Sequence, residues 1–523
     1  MTLRFLTAVA CTAALALAGG CEVGPSYRRP AANLPPSWAD ATQSAVAAAG
    51  TAGLATSADP VDESWWKVFQ DPTLERLEQR VATQNLDIQT ATVRLTESRL
   101  QARIVGAGLW PSVNANASYE REKASQQGLL SLFGSGGAST TPGSEASGTL
   151  GSGAGGAPAS IASSLSAPLN LWQYGFDASW ELDLWGGTRR AVEAARATAQ
   201  SSQEAVRGEL LQQMAEVARD YMTLRGVQAQ RAIVEATMAA DRDTASITGQ
   251  RADVGVAPHQ DLVSAEAETD SVASQLPTLG QQEAQLVNAL SLLLGAPPDS
   301  LREELSTSQP SKSAPPLVPL GIPSELARRR PDIRGAEARL QAATAQVGVA
   351  VAELYPSITL TGSFGLQALQ FGNLASWSAR QYAFGPSLTL PLFEGGQLRG
   401  TVELRKVEQQ EAAIDYQKTV LQAWHDVANA LIAYSAEQER LQRLTRATLA
   451  SEQVLRIALE RYRSGIDPYL NVLTAQRTLL QYQLQGAQSL TAVQCNLIQL
   501  YKALGGGWAA AIPEPAAPPI ADR

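Results

Sequence analysis

Two histidines and three cysteines among 523 residues leave little for acid–base or metal chemistry. His259 and His425 read as surface or helix-packing residues, and only Cys495 lies beyond the N-terminal region that holds Cys11 and Cys21. Neither a disulfide framework nor a metal site is expected. No GxSxG, HExxH, P-loop or CxxC pattern occurs, so the sequence gives no positive reason to expect an enzyme or a cofactor. Basic residues are not in excess: 41 Lys and Arg stand against 50 Asp and Glu, a formal charge of -9. Nucleic acid is therefore not an expected partner. Beyond residue 20 no uncharged apolar run reaches 18 residues, which excludes a bundle of membrane-spanning helices but not a β-barrel, whose strands alternate. What the chain does have is 45% hydrophobic residues, enough for a large buried core.

The first 20 residues read as an address. Met1 to Gly20 carries one basic residue, Arg4, then a mostly apolar stretch from Phe5 to Ala18 and two glycines, the pattern of a removable signal peptide. Ala18-Gly19-Gly20-Cys21 resembles a bacterial lipobox, with Ala18 where leucine is usual, and predicts a covalent lipid on Cys21. Each buried methylene of such a lipid contributes about 0.8 kcal/mol to membrane attachment. Plain secretion with a free Cys21 is the alternative.

The rest is organised by an internal duplication. Asp87-Ile88, Arg94-Leu95 and Trp110-Pro111-Ser112 match Asp332-Ile333, Arg339-Leu340 and Tyr355-Pro356-Ser357 at one offset, and Arg251, Gly255, Pro258 and Ala265 match Arg461, Gly465, Pro468 and Ala475 at a shorter one. The first half thus carries an insert, within 120–173, that includes a Gly/Ser-rich loop. The expected division is a linker over 21–60, repeat 1 over 61–305, a second linker over 306–323, repeat 2 over 324–505 and a tail over 506–523. Repeat 1 holds short helices, a β-hairpin over 112–184, a long helix over 188–250, a tip over 251–260 and a helix over 261–294. Repeat 2 holds a helix over 325–353, a β-hairpin over 357–393, a long helix over 397–463, a tip over 464–469 and a helix over 470–503.

Four segments alternate in polarity. Val113, Ala115, Ala117 and Tyr119 oppose Asn114, Asn116 and Ser118, while Phe176, Ala178, Trp180 and Leu182 oppose Asp177, Ser179, Glu181 and Asp183. Ile358, Leu360 and Phe364 face away from Thr359, Thr361 and Ser363, and Phe384 and Leu388 from Gly385, Ser387 and Thr389. Aromatic residues gather near the segment ends. A transmembrane strand has this length, this alternation and this placing of aromatics, whereas a half-buried strand of a soluble sheet shares the alternation alone. Four strands cannot close a barrel, and open edges in lipid cost several kcal/mol per unsatisfied group. Two copies give eight strands and a filled interior; three give twelve and room for a channel, which the small polar residues favour.

Thr188 to Gln250 and Gln397 to Arg463 contain no proline. Leu210, Met214, Val217, Tyr221 and Leu224 recur at spacings of 4, 3, 4 and 3, as do Val420, Trp424, Val427, Leu431 and Tyr434, the seam of a left-handed coiled coil. Helices of about 95–100 Å predict an elongated molecule, since a compact chain of this length has a radius of gyration near ~24 Å.

Gly20-Cys21-Glu22-Val23-Gly24-Pro25-Ser26-Tyr27, Trp65-Trp66, Arg328-Arg329-Arg330-Pro331-Asp332-Ile333 and Arg461-Tyr462-Arg463-Ser464-Gly465 together resemble the TolC-like outer-membrane factors, in their lipoprotein (NodT-type) branch, over nearly the whole mature chain. The resemblance implies an α+β membrane protein: a homotrimeric 12-stranded transmembrane β-barrel, four strands per chain, continued by a periplasmic α-helical barrel. It implies outer-membrane lipid around the barrel, a periplasmic adaptor and a proton-driven inner-membrane pump as partners, and passive export of small molecules from a Gram-negative cell. It also implies a constriction at the helical tips, where Gly255, Pro258 and Gly465 form turns. Family members often place acidic residues at the positions of Asn471 and Thr474; Asp261 and Asp467 are candidate substitutes here, and Arg251 and Arg461 are candidate ties between tips. Asp177, Glu181 and Asp183 are the expected lumen carboxylates. Two rivals are a duct for type I protein secretion and a secreted coiled-coil protein with no pore.

Overall fold

The computed structural model describes residues 22–29, 55–57, 64–123, 168–306, 317–319 and 329–507. Cys21, the signal peptide, most of the Gly/Ser-rich insert and the tail beyond Gly507 lie outside these residues. In chain order the elements are strand β1 (Ala55–Ser57), helices α1 (Pro72–Gln84) and α2 (Leu86–Ala107), strands β2 (Ser112–Glu122) and β3 (Leu169–Leu182), and helices α3 (Gly187–Asp253), α4 (His259–Ala273), α5 (Gln275–Leu293) and α6 (Arg302–Leu305). Strand β4 (Leu317–Pro319), helix α7 (Pro331–Ala352), strands β5 (Ser357–Ala368) and β6 (Arg380–Thr389), and helices α8 (Gln397–Arg463) and α9 (Tyr469–Ala503) follow. The described chain is mostly helical, and none of its helices is long and apolar enough to cross a membrane.

Two compact units cut across the two sequence halves. The first comprises Met1–Pro25, Arg103–Val192 and Ala345–Arg405; the second comprises Ser26–Ala102, Glu193–Thr344 and Lys406–Arg523. Each unit draws on both halves: in the first, β3 hydrogen-bonds to β5, and in the second, α3 shares a buried cluster with α8 and α9.

In the first unit the four longer strands form one antiparallel sheet in the order β2-β3-β5-β6. The register sorts its faces: Asn114 lies opposite Asp177, which lies opposite Ser363, while Ala115, Phe176 and Phe364 are level with one another on the alternate positions. Because side chains alternate with period two, one face collects Val113, Phe176, Trp180, Leu360, Phe364 and Phe384 and the other collects Asn114, Asp177, Ser179, Thr361, Ser363 and Ser387. The apolar face is uncovered in the single chain, with Phe384 82% and Val113 66% exposed. Strand β3 begins at Leu169, five residues earlier than the alternation suggested, and β6 stops at Thr389, leaving Leu390, Leu392 and Phe393 beyond it.

All four hydrophobic clusters among the described residues belong to the second unit. Trp65, Leu210, Met214, Val217, Tyr221, Leu224, Val427, Leu431 and Tyr434 are buried in the largest, so the 3.5-residue seam is a packing stripe. Trp65 stacks on Tyr501 at 5.8 Å, and the Arg330 guanidinium donates to the Ala503 carbonyl at 2.9 Å, which fastens the end of α9. A separate pair of short parallel strands, β1 and β4, joins segments that read as linkers.

The helix expected over 261–294 is interrupted, and the short helices before the first hairpin are divided at a single residue. Asn85 separates α1 from α2: its side-chain oxygen accepts from the Asp87 and Ile88 amides at 2.9 and 3.0 Å, and its amide nitrogen donates to the Leu293 carbonyl. It thus serves as an N-cap. Ser274 separates α4 from α5. Pro277 supplies the reason, since it has no N–H for the carbonyl four residues back and its ring crowds that position. Helix α7 opens at Pro331, where a missing N–H costs nothing; residues 325–328 of the expected helix lie outside the described set.

Candidate functional site

Two places in the chain combine exposure with directed chemistry: the polar face of the sheet, in the first unit, and the paired helical turns, in the second.

On the sheet, Asp177 and Glu181 lie on β3 among Asn114, Asn116, Ser179 and Thr361, and the Asn116 amide donates to the Asp177 carboxylate. Asp183 is placed differently from the expectation. It stands one residue past β3, and its carboxylate accepts from the backbone amides of Thr188 and Arg189 at 3.1 and 2.9 Å and pairs with the Arg189 guanidinium. An anion at a helix N-terminus satisfies orphan N–H groups and complements the dipole, so Asp183 anchors α3 and is not a third strand carboxylate. Aromatic side chains mark both sheet ends. Tyr119, Trp172 and Phe371 form a chain of ring contacts of 4.3 and 5.0 Å near the loops, and Trp185 stacks on Tyr355 at 4.7 Å near the helices.

The turns between α3 and α4 and between α8 and α9 are copies of one design. Gly255 and Gly465 take φ of +74° and +72°, a left-handed conformation that side chains resist, and close each helix. Val256 N–H reaches the Arg251 carbonyl at 2.8 Å, and Ile466 N–H reaches the Arg461 carbonyl at 2.9 Å. Pro258 and Pro468 then open the next helices. Arg251 links the two turns of one chain: its guanidinium donates to the Tyr462 and Arg463 carbonyls at 2.9 and 3.0 Å and lies 4.8 Å from the centre of the Tyr462 ring. Arg461 instead closes on its own turn, with Asp467 at 2.6 Å.

Arg461 holds the Asp467 carboxyl below its ordinary range, and the Asn471 side chain adds to that effect. Asp261 is shifted the other way, upward, by burial. Thr474 spends its hydroxyl on the Leu470 carbonyl of its own helix. The turns also expose Val254, Val256, Ile466 and Leu470, an apolar rim that Gly/Pro spacing does not reveal.

The sequence also gave no signal for a buried acidic group nearby. Asp241, on α3, is 3% exposed, and neither of its oxygens accepts a hydrogen bond from a described residue. It lines a cavity of about 420 Å³ with Leu455, Gln476 and Leu480. Glu268, beside it, is engaged by Arg477 at 2.7 Å. Burial, and then the charge of Glu268, push the Asp241 carboxyl up to about 6. An unfolded aspartate titrates near ~3.9, so the folded state holds this proton more tightly. That stabilisation is complete below about pH 4 and is lost as pH rises through about 6. Asp241→Asn is therefore expected to flatten the fall in thermal midpoint between pH 5 and pH 7.5 and to raise the midpoint at pH 7.5 by a few degrees. Circular-dichroism melts of the purified protein at both pH values check this, and parallel slopes in variant and parent would refute it.

Among the described residues no three His, Cys, Asp or Glu side chains are placed to share a metal ion. The family described as "Outer membrane efflux protein" matches residues 77–296 and 322–506. The chain is 32% identical over 498 residues, covering 94% of it and 93% of the relative, to the probable efflux pump outer membrane protein TtgC of Pseudomonas putida. It is 30% identical over 499 residues, covering 94% of it and 96% of the relative, to nodulation protein T of Rhizobium leguminosarum bv. trifolii. The solved outer-membrane channel OprN aligns with 93% of this chain and 100% of its own at a TM-score of 0.79 and 30% identity. With a two-faced sheet, paired helical turns and matches along both sequence halves, the chain belongs to the outer membrane efflux protein family, whose members are channels and not enzymes.

Proposed function

We propose that the chain is the outer-membrane exit duct of a tripartite efflux system. Three copies each lend four strands to a 12-stranded barrel, their long helices line a periplasmic tunnel, and small toxic molecules leave through it passively. The observation that carries this reading is the sheet itself, which among the described residues has one polar face, one uncovered apolar face and two unpaired edges at β2 and β6. In lipid an unpaired edge is prohibitive, and neighbouring copies remove it. Twelve strands leave an aqueous bore where eight would be filled by side chains. Relatives named as outer membrane proteins of an antibiotic efflux pump and of a toluene efflux pump favour small molecules over secreted proteins as cargo.

In this reading the periplasmic end is closed by the helical turns, and their apolar rim of Val254, Val256, Ile466 and Leu470 receives the periplasmic adaptor. A proton-driven inner-membrane pump supplies the energy, because nothing in a passive bore does. A lipid on Cys21 adds a second hold on the membrane.

Purified protein in planar bilayers should give discrete, ohmic conductance steps, with a mild preference for cations set by Asp177 and Glu181. In Asp177→Asn/Glu181→Gln channels the reversal potential in a salt gradient should move toward zero. A protein that forms no channels, or stays dissolved as single copies without detergent, overturns the duct; an unmoved reversal potential removes only the charge assignment.

A further inference from the structure

The sheet carries six charged residues, and they are sorted without exception. Glu120, Glu122, Asp177 and Glu181 fall on the polar face, whereas Arg121 and Arg380 fall on the apolar face. Both arginines sit at the loop end of the sheet: Arg121 is next to last in β2 and Arg380 is first in β6. At the helix end, the terminal strand residues Ser112, Leu182, Ser357 and Thr389 offer no cation.

Solvation alone would place these arginines on the other face. An arginine facing lipid costs roughly 2–4 kcal/mol at mid-membrane and about 0–1 near the interface. Both are therefore interface residues, held where water and headgroups begin. About ten residues separate Arg121 from the start of β2, which at ~3.3 Å per residue and the usual tilt matches an apolar band of about 25 Å. The surroundings are aromatic. Arg380 lies 4.6 Å from the centre of the Trp377 ring and donates to the Trp377 carbonyl at 2.8 Å, which fixes its guanidinium, and Trp377 and Phe371 stand 73% and 67% exposed.

A neighbouring copy cannot supply the missing anions. Where β6 of one copy meets β2 of the next, period-two alternation brings Arg121 to the face that holds Arg380 and keeps Glu120 and Glu122 on the opposite one. Assembly thus concentrates positive charge on the lipid side. A planar guanidinium fork fits a phosphate through two parallel hydrogen bonds, and flat exposed rings offer a surface for a sugar.

We infer that the loop-end rim formed by Arg121, Arg380, Trp377 and Phe371 binds a phosphorylated glycolipid of the outer leaflet. The inference rests on the barrel reading above, which sets the loop end outside the cell. It also gives the loop end a selectivity for lipid that the helix end, with aromatics but no strand cation, lacks.

The test uses the full-length assembly in phosphatidylcholine nanodiscs, with lipid retention read by native mass spectrometry. Bisphosphorylated lipid A should be retained about tenfold better than enzymatically dephosphorylated lipid A or phosphatidylglycerol. Arg121→Gln/Arg380→Gln should reduce that preference to the dephosphorylated level while leaving single-channel conductance unchanged. Equal retention of the two lipid A forms by the parent protein overturns the inference without any variant, as does equal retention of phosphatidylglycerol. A preference that survives in the double variant overturns the residue assignment. Loss of conductance in the parent protein would instead strike the duct, so the two failures are distinguishable.

Discussion

Phe176→Arg is expected to abolish assembly of the protein in the outer membrane, while Asp177→Arg, one residue along, leaves assembly intact. Phe176 sits in mid-strand on the apolar face, level with Ala115 and Phe364. An arginine there faces hydrocarbon at a cost of roughly 2–4 kcal/mol per copy, repeated in each copy of the assembly. That is comparable with the whole stability of an ordinary domain, about 5–15 kcal/mol. Asp177 faces the opposite way, beside Asn114, Asn116 and Ser363, where a charge meets water. Its replacement loses the Asn116 hydrogen bond and should weaken the cation preference, since Glu120, Glu122 and Glu181 remain on that face. Membrane fractionation with unheated gel mobility checks the first outcome and reversal potentials check the second. Equal assembly of the two variants would falsify the assignment of the faces.

The second large effect is expected at the helical turns. Arg251→Ala should raise single-channel conductance several-fold and make cells sensitive to bulky antibiotics that the outer membrane otherwise excludes. Arg251 supplies two hydrogen bonds to carbonyls at the end of α8 and a cation–π contact to Tyr462. Hydrogen bonds that involve a charged group contribute about 1.5–3 kcal/mol each, and alanine leaves both carbonyls without that donor. Arg251→Lys keeps the charge but not the fork, so it should lie between parent and alanine variant. Arg461→Ala should act weakly by comparison, since its ion pair with Asp467 is local to one exposed turn. If Arg251→Ala conducts like the parent, closure lies elsewhere in the helices.

The long helices were legible because nothing interrupts them: Gly187–Asp253 and Gln397–Arg463 match the proline-free stretches closely, and the 3.5-residue stripe runs undisturbed within them. The strands were legible through alternation, which in the proposed barrel survives because each face meets a different medium. What stayed hidden depends on contacts distant in sequence. Asn85 reads as an ordinary helical polar residue until its side chain is seen on Leu293, and Asp183 continues the alternating pattern of β3 although it caps α3. Pro277 carries a sequence signal for the break at Ser274, although the apolar pattern runs on across it.

The turn site divides in the same way. Gly255, Pro258 and Gly465 were legible as turn formers because left-handed backbone selects glycine. The bond from Arg251 to the Tyr462 carbonyl was not, because a backbone acceptor leaves no mark in composition. Asp241 was invisible for a related reason: burial, not residue type, perturbs it, and burial is set by α9 and α4 packing around α3.

The two unpaired edges of the sheet carry a hazard for the newborn chain. In the proposed assembly, each copy crosses an aqueous compartment before it meets its siblings, with raw hydrogen-bonding flanks and an oily panel, the conditions under which stray polypeptides fuse. On that reading, speed of encounter as well as the strength of the finished ring would set how many copies survive the journey, and a holding chaperone that masks β2 or β6 would raise the yield without touching the completed pore.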